Sequence, residues 1–156
     1  VLSMTDPSGT TTYSYDNSNR LLSDTKTIEG KTFNISYNYS LAGALTSITY
    51  PSGRMILYIY DANGRIIKVT ETKDNKTSDI ITNIIYNANG TVASITYENG
   101  IQTLKGYDVK GALSSLNIGN LKQLLYTRDN IGNITSIIDN LDPSRQRRIN
   151  TMHFIG

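Results

Sequence analysis

The stretch Tyr58–Val69, with the sequence YIYDANGRIIKV, places two tyrosines two residues apart, followed by an aspartate, an Asn-Gly pair and an apolar run. Residues two apart on a β-strand lie on the same face of a sheet, so Tyr58 and Tyr60 are predicted to share a face. Asn-Gly between apolar runs predicts a β-hairpin with a two-residue turn, whose central residues both have positive φ. The aspartate is predicted to bind turn amides.

The same phrase recurs along the chain. Aligned on the Gly or Asn that follows the tyrosines, six copies are separated by steps of 24, 21, 26, 21 and 21 residues. A period of this kind indicates a repeat architecture. The six anchor residues are Asn19, Gly43, Gly64, Gly90, Gly111 and Gly132.

A second turn signal lies about halfway between most anchors. The stretches between turns are rich in Thr, Ile, Val and Tyr, which favour strands. Two turns per period mean two strands per period, so the sequence predicts an all-β fold of tandem hairpin repeats of about 21 residues. The second signals are DPSG (6–9), IEGK (28–31), YPSG (50–53), YENG (97–100) and NIGN (117–120).

After each anchor the apolar residues are three apart, as in Leu45 and Ile48 or Ile66 and Val69. This spacing does not match strand alternation. Either a β-bulge separates the two residues or their side chains serve opposite faces. A short helix has the same spacing, but only about seven residues are available between turns and β-branched residues fill them.

The two longer steps place insertions near 27–36 and 70–79, and both segments are polar, which predicts loops. The domain organisation expected is a repeat array over 1–140 and a basic tail, or the start of a further repeat, over 141–156. Within that tail the basic run Arg145–Arg148 is interpreted as a solvated linker in preference to a docking or cleavage site.

Composition excludes several classes of protein. The chain of 156 residues has no cysteine, which removes disulfides, thiolate zinc sites and cysteine nucleophiles. A net charge of +2 with 18% charged residues lacks the basic face that nucleic-acid binding needs. The longest apolar run, Met55–Tyr60, is too short to span a bilayer. The chain opens without an initiator methionine or a recognisable signal peptide, so it is expected to be a piece of a longer protein.

The residues that catalysis needs are missing from the sequence. His153 is the only histidine and has no second histidine or cysteine with which to share a metal. The aspartates recur at turn positions, where turn bonding explains them better than acid–base chemistry. We therefore expect no catalytic residue, no cofactor-binding residue and no metal ligand, and hence no enzyme.

The phrase Tyr60-Asp61-Ala62-Asn63-Gly64-Arg65-Ile66 resembles the YD repeat of the Rhs/YD-repeat family, as does Tyr15-Asp16-Asn17-Ser18-Asn19-Arg20-Leu21. Two copies are degenerate, at Tyr86–Val92 and Tyr107–Leu113. The copy at Tyr39 lacks the aspartate, and the sixth copy has Arg128 in the tyrosine position. The repeat motif comprises Tyr15, Asp16, Tyr39, Gly43, Tyr60, Asp61, Gly64, Tyr86, Gly90, Tyr107, Asp108, Gly111, Asp129 and Gly132.

The resemblance implies a continuous curved or spiralling antiparallel sheet that, in large members, closes into a shell around a toxin or effector. Members that release a C-terminal domain carry a self-cleaving Asp-Pro-x-Gly-Leu motif. Here Asp6-Pro7-Ser8-Gly9 aligns with a repeat turn, and Asp142-Pro143-Ser144 is followed by arginine. Self-cleavage is therefore not carried over.

Three functions remain open at this point. The first is a wall segment of a shell that encapsulates an effector, in a secreted or cell-surface protein that the resemblance places in bacteria. The second is a surface adhesion module that binds carbohydrate or protein. The third is a strip that self-assembles through open sheet edges. The expected partners are the remainder of the parent chain, with an enclosed effector, a surface ligand or a second copy according to the function.

Overall fold

The computed structural model describes residues 2–145 and 147–148. These residues form antiparallel strands hydrogen-bonded in chain order into one sheet, without an α-helix in the described part of the chain. The predicted all-β hairpin array is therefore confirmed. The strands are β1 (Ser3–Asp6), β2 (Gly9–Tyr15), β3 (Leu21–Ile28), β4 (Lys31–Tyr39), β5 (Leu45–Thr49), β6 (Met55–Tyr60), β7 (Ile66–Lys73), β8 (Lys76–Tyr86), β9 (Val92–Tyr97), β10 (Gln102–Tyr107), β11 (Leu113–Ile118), β12 (Lys122–Arg128), β13 (Ile134–Asp139) and the two-residue β14 (Arg147–Arg148).

The chain divides into two compact units, Val1–Thr82 and Asn83–Gly156. The first unit contains β1 to β7 and the beginning of β8. The second contains the end of β8 and the strands that follow it. In each unit the turns that follow the tyrosine positions share one plan, so they can be described from one repeat.

A β-bulge follows the turn after each tyrosine pair. Ile59 pairs with Lys68 but Tyr60 pairs with Ile66, which leaves Ile67 as the extra residue. Residues directly opposite each other across a ladder lie on the same face. The register shifts in the same way at Ser14/Tyr15, Asn38/Tyr39, Gly106/Tyr107 and Thr127/Arg128.

The bulge explains the three-residue spacing of the apolar positions. Ile66 lies opposite Tyr60, and Val69 lies opposite Tyr58. Both aliphatic side chains are therefore on the tyrosine face, although three residues separate them. Of the two alternatives drawn from the spacing, the structure has the bulge.

The prediction that 27–36 and 70–79 are loops is wrong. Both segments continue the strands, and the chain reverses only at Glu29–Gly30 and at Asp74–Asn75. Their polarity was misleading because most residues of these strand segments are exposed or half-buried, so polar side chains are tolerated along them. Cross-strand hydroxyl pairs such as Thr72 with Thr77, at 2.9 Å, support these extensions.

The hydrophobic core is thin. Among the described residues only Ile56 and Val69 are buried hydrophobic side chains, at 7% and 8% exposure. Backbone ladders and cross-strand side-chain pairs must therefore supply much of the stabilisation.

The C-terminal region continues the sheet as far as it is described. Pro143–Arg145 forms a 3-10 turn, and the backbone of Arg147–Arg148 pairs with Ser136 and Ile137 of β13. His153 and the rest of the predicted tail after Arg148 lie outside the described residues, so the boundary at 140 stays a prediction.

Candidate functional site: the aspartate turns and the tyrosine row

The turn after each tyrosine pair spans five residues, as in Asp61–Arg65. The Asp61 amide donates to the Arg65 carbonyl at 2.9 Å, and the Gly64 amide donates to the Asp61 carbonyl at 3.0 Å. Oδ1 of Asp61 accepts from the amides of Asn63 and Arg65, each at 2.9 Å. Thus the aspartate satisfies turn amides, in the manner of an Asx turn.

This geometry corrects the predicted turn type. Gly64 has a φ of +75°, whereas Asn63 does not have positive φ. The turn is a five-residue one with a single left-handed residue, because this form brings two amides within reach of the carboxylate. Pairs of residues that both have positive φ occur instead at Glu29–Gly30 and Asp74–Asn75.

The other copies keep this backbone plan but differ in the side chain that bonds the turn. We call all six the aspartate turns, although Ser40 and Asn87 replace the aspartate in the second and fourth. Oδ1 of Asp16, Asp108 and Asp129 each accepts two turn amides. Where the aspartate is missing, the hydroxyl of Ser40 accepts the Ala44 amide at 3.1 Å. At Tyr86–Val92 the side chain of Asn87 instead donates to the Thr91 hydroxyl at 2.9 Å.

The turn bonds stabilise the ionised form of these carboxyls. The Arg65 amide, followed by its guanidinium, lowers the pKa of Asp61 below the ordinary 3.8. The pKa of Asp16 is lowered in the same direction, first by the Arg20 amide. Hydrogen bonds to the charged form of a carboxyl explain this direction, and they suit a structural acceptor rather than a general base near neutral pH.

Three motif tyrosines, which we call the tyrosine row, each bond the preceding repeat: Tyr39, Tyr60 and Tyr107. The hydroxyl of Tyr60 donates to the Leu45 carbonyl at 2.6 Å, and that of Tyr39 donates to the Leu21 carbonyl at 3.0 Å. Tyr107 reaches the Val92 carbonyl in the same way, at 3.0 Å. Leu45 is the first residue of the strand after the preceding turn, next to the bulge. The tyrosine row therefore connects one hairpin to the next.

Arg128 takes over this task in the sixth copy. Its Nη1 donates to the Leu113 carbonyl at 2.5 Å, fifteen residues earlier, at the same spacing as the bonds of Tyr60 and Tyr107. The replacement of tyrosine by arginine thus preserves the bond between hairpins while adding a positive charge.

An arginine clamp joins the first two aspartate turns. Nε of Arg20 lies 2.6 Å from Oδ2 of Asp16, and its Nη1 donates to the Ser40 carbonyl of the next turn at 3.3 Å. Its guanidinium carbon lies 4.9 Å from the centre of the Tyr39 ring. Arg65 pairs with Asp61 in the same way at 2.7 Å. The Arg after Gly or Asn in the motif therefore closes its own turn.

The first tyrosine of each pair packs on the same face. The pKa of Tyr37 is raised, first by burial and then by the nearby Asp24 carboxylate, to which its hydroxyl donates at 3.2 Å. Burial also raises the pKa of Tyr58. Partial burial beside other side chains is what packing of neighbouring rings requires.

The most buried of the carboxylates that the sequence reasoning missed, among the described residues, is that of Asp139. Asp139 is 3% exposed, pairs with Lys122 at 2.7 Å and accepts the amides of Gln123 and Leu141 at 3.2 Å each. Its local signal was an Asx-like turn at 139–142. Like the motif aspartates, it is bound within the sheet.

The structure brings the motif residues together within each hairpin, and between neighbouring hairpins through the tyrosine row. Among residues 2–145 and 147–148 there is no group of three His, Cys, Asp or Glu side chains arranged to hold a metal. The described residues also contain no helix long and apolar enough to cross a membrane.

Part of the chain matches a known family of repeats. Residues 1–32 and 39–76 match the Rhs repeat model. No curated protein matches the chain in sequence.

Solved structures share the fold at low sequence identity. A crystal structure of TcdB2-TccC3-Cdc42 matches with a TM-score of 0.80 at 19% identity, over 88% of this chain and 8% of that one. TcdB2-TccC3 without its hypervariable C-terminal region matches with a TM-score of 0.80 at 19% identity, over 89% and 8%. The Tc holotoxin pore of Photorhabdus luminescens gives 0.79 at 19% identity, over 89% and 8%.

The chain thus spans about 8% of the length of these solved chains. The matched residues contain the first three aspartate turns, with the Tyr-Asp phrases at 15–16 and 60–61. The resemblance of those phrases to the Rhs/YD-repeat family is therefore confirmed for the matched residues, which make up a little under half of the chain.

Proposed function

We propose that the chain is a non-catalytic segment of the wall of a hollow shell that encloses a toxin or other effector polypeptide. The observation that carries this proposal is the use of the motif side chains inside the sheet. Carbonyls of the preceding hairpin accept hydrogen bonds from the hydroxyls of Tyr39, Tyr60 and Tyr107. Such a motif extends a wall by joining one hairpin to the next, and its hydroxyls are already bonded within the sheet.

The turn carboxylates support the same conclusion. Asp16, Asp61, Asp108 and Asp129 are each bonded to amides of their own turn. A general acid or base needs a proton that it exchanges with substrate near the working pH. Carboxyls such as Asp16 and Asp61, whose pKa is lowered by local amides, are suited to holding a turn.

The shared fold with TcdB2-TccC3 structures supports a role in a toxin assembly. On this proposal the parent protein is bacterial and is secreted or displayed at the surface. The immediate partners of the segment are the preceding and following hairpins of its own chain, and the enclosed polypeptide is the functional cargo.

The test uses the intact protein that contains this segment, purified with its effector. Negative-stain electron microscopy should show closed hollow particles, and native mass measurement should show the mass of one chain with its effector retained. The effector should resist protease until the particle is opened by denaturant. Filaments, small open particles or an effector that is digested at once would contradict encapsulation, and would favour edge assembly or surface recognition.

A further inference from the structure

A cavity of about 410 Å³ lies between the fifth and sixth aspartate turns, at 108–112 and 129–133. Its lining includes Lys110, Ala112, Tyr126 and Arg128. This volume is within the range of sites that bind small ligands or single side chains. The cavity belongs entirely to the second unit of the chain.

The first two aspartate turns show why the cavity is open. There, Arg20 extends from the end of the first turn over the Tyr39 ring to the Ser40 carbonyl. In the fifth turn the corresponding residue is Ala112, and the next repeat has Arg128 in place of the tyrosine. Between the fifth and sixth turns the thinner side chain of Lys110 crosses instead, to the Asn130 carbonyl, and the space beside it stays open.

Neither cation that lines this cavity forms an ion pair with another residue of the described part of the chain. Arg128 uses Nη1 for the Leu113 carbonyl and forms no ion pair with any described residue. By contrast, Arg20, Arg54 and Arg65 each pair with a carboxylate. Lys110 donates only to the Asn130 carbonyl, at 3.3 Å. A guanidinium has five N–H donors, so most of those on Arg128 remain for a ligand.

We propose that this cavity binds a carboxylate, with Arg128 as its principal anchor and Lys110 as a second cation. A half-buried guanidinium that has no carboxylate partner gains most from a planar anion that accepts two parallel N–H bonds, which is the geometry of a carboxylate. The ligand is an acidic side chain of a polypeptide or a free dicarboxylate. The site does not depend on the shell proposal, because it is defined by two turns of this chain.

Two acidic residues also line the cavity, and their roles differ. Both oxygens of Asp129 accept bonds from within its own turn, including Asn133 Nδ2 at 3.0 Å. Asp108 uses only Oδ1, for the amides of Lys110 and Ala112. Asp108 therefore repels an incoming anion and would attract a cation. Removing its charge should strengthen the binding of a carboxylate, which tests the proposed charge of the ligand.

The binding experiment follows backbone amide shifts of the complete chain by NMR at low salt. The probes are acetyl-Gly-Glu-Gly-amide and glutarate, and acetyl-Gly-Gln-Gly-amide is the uncharged control. We expect shifts at 108–112 and 128–133 with dissociation constants of roughly millimolar order. Binding of the Glu peptide alone identifies a polypeptide source, binding of glutarate alone identifies a small molecule, and binding of both leaves carboxylate chemistry as the determinant. No binding of either, or equal binding of the Gln peptide, overturns the proposal.

Variants separate the site from the fold. Arg128→Tyr restores the residue of the other repeats and keeps a donor for the Leu113 carbonyl, so the chain should fold while the affinity falls about tenfold or more. Asp108→Asn should strengthen binding, and Arg20→Gln, in the other unit, should leave it unchanged. Undiminished affinity in Arg128→Tyr, or weaker binding in Asp108→Asn, would overturn the assignment.

Discussion

The turns at the two ends of the strands, which we call the two edges of the hairpin array, follow different rules. At the edge formed by the aspartate turns, all six turns span five residues, and in each the first amide bonds the fifth carbonyl and the fourth amide bonds the first carbonyl. At the opposite edge the turn length varies, with two residues at 7–8, 29–30 and 74–75, five at 50–54 and 97–101, and three at 119–121.

The difference follows from where the bonds between hairpins are made. The tyrosine hydroxyls reach carbonyls beside the aspartate turns, so a change of turn length there would displace both donor and acceptor. In the described part of the chain the opposite edge has bonds that differ from turn to turn, such as Arg54 with Glu71 and Lys122 with Asp139. Both strand extensions, around Glu29–Gly30 and Asp74–Asn75, occur at that edge. The turn length is constant where tyrosine hydroxyls connect neighbouring hairpins, and it varies at the other end of the strands.

Insertion of Gly-Ser tests this comparison with the largest expected effect. Placed between Asn63 and Gly64, the insertion separates the Asp61 carboxylate from the Arg65 amide and shifts the bulge. We expect a loss of about 3 kcal/mol in the free energy of unfolding, measured by urea denaturation. Placed between Asp74 and Asn75, the same insertion should cost under about 1 kcal/mol, because loop length alone is inexpensive. Equal costs at the two sites would break the comparison.

Gly64→Ala should destabilise the chain by about 1–2 kcal/mol, because a side chain at positive φ is strained. An added Cβ there meets no atom within 4 Å, so the cost comes from the backbone alone. Asn63→Ala is the matched control in the same turn and should change stability by less than about 0.5 kcal/mol. Thermal unfolding of both variants measures the difference, and a silent Gly64→Ala would contradict the assigned turn.

Tyr60→Phe removes the hydroxyl that donates to Leu45 and should cost about 1 kcal/mol. Tyr97→Phe is the control at the opposite edge, where Tyr97 enters its turn through backbone bonds, and should stay within about 0.5 kcal/mol. Denaturation of the two variants under identical conditions decides the point. If both cost the same, the tyrosine row is not what connects the hairpins.

The pH dependence should be the subtlest effect. Because the folded pKa of Asp61 lies below 3.8, its ionised form stabilises the folded state, fully at pH values above the unfolded pKa. That contribution is lost as the pH falls below about 3.8 through the folded pKa. Asp61→Asn should therefore unfold at a temperature that changes less between pH 5 and pH 3 than the wild type does, as thermal scans at each pH would record. An identical pH dependence would remove the carboxylate from the account.

Local sequence determined much of this architecture. The Asn and Gly anchors located all six aspartate turns, and the three-residue spacing of Ile66 and Val69 already contained the bulge as one alternative. Both signals act within a few residues, where steric rules for φ and the period of a strand apply. The loops assigned to the longer steps failed because polarity separates loops from strands only where one face of a sheet is buried.

The contacts between hairpins could not be predicted. The acceptor for Tyr60 is a backbone carbonyl fifteen residues earlier, and every residue offers a carbonyl, so no side-chain pattern marks Leu45. The role of Arg128 was hidden for the same reason, since the sequence shows it as a departure from the motif. Only the register of the strands shows that its guanidinium replaces a tyrosine hydroxyl.

The most direct test is a cryo-electron microscopy map of the intact parent protein at side-chain resolution. The account predicts that these hairpins lie in the wall of a closed cavity, with density connecting the Tyr60 hydroxyl to the Leu45 carbonyl and unassigned polypeptide density inside. A segment standing outside any enclosed volume, or a tyrosine row turned to a ligand or to solvent instead of the preceding hairpin, would contradict it.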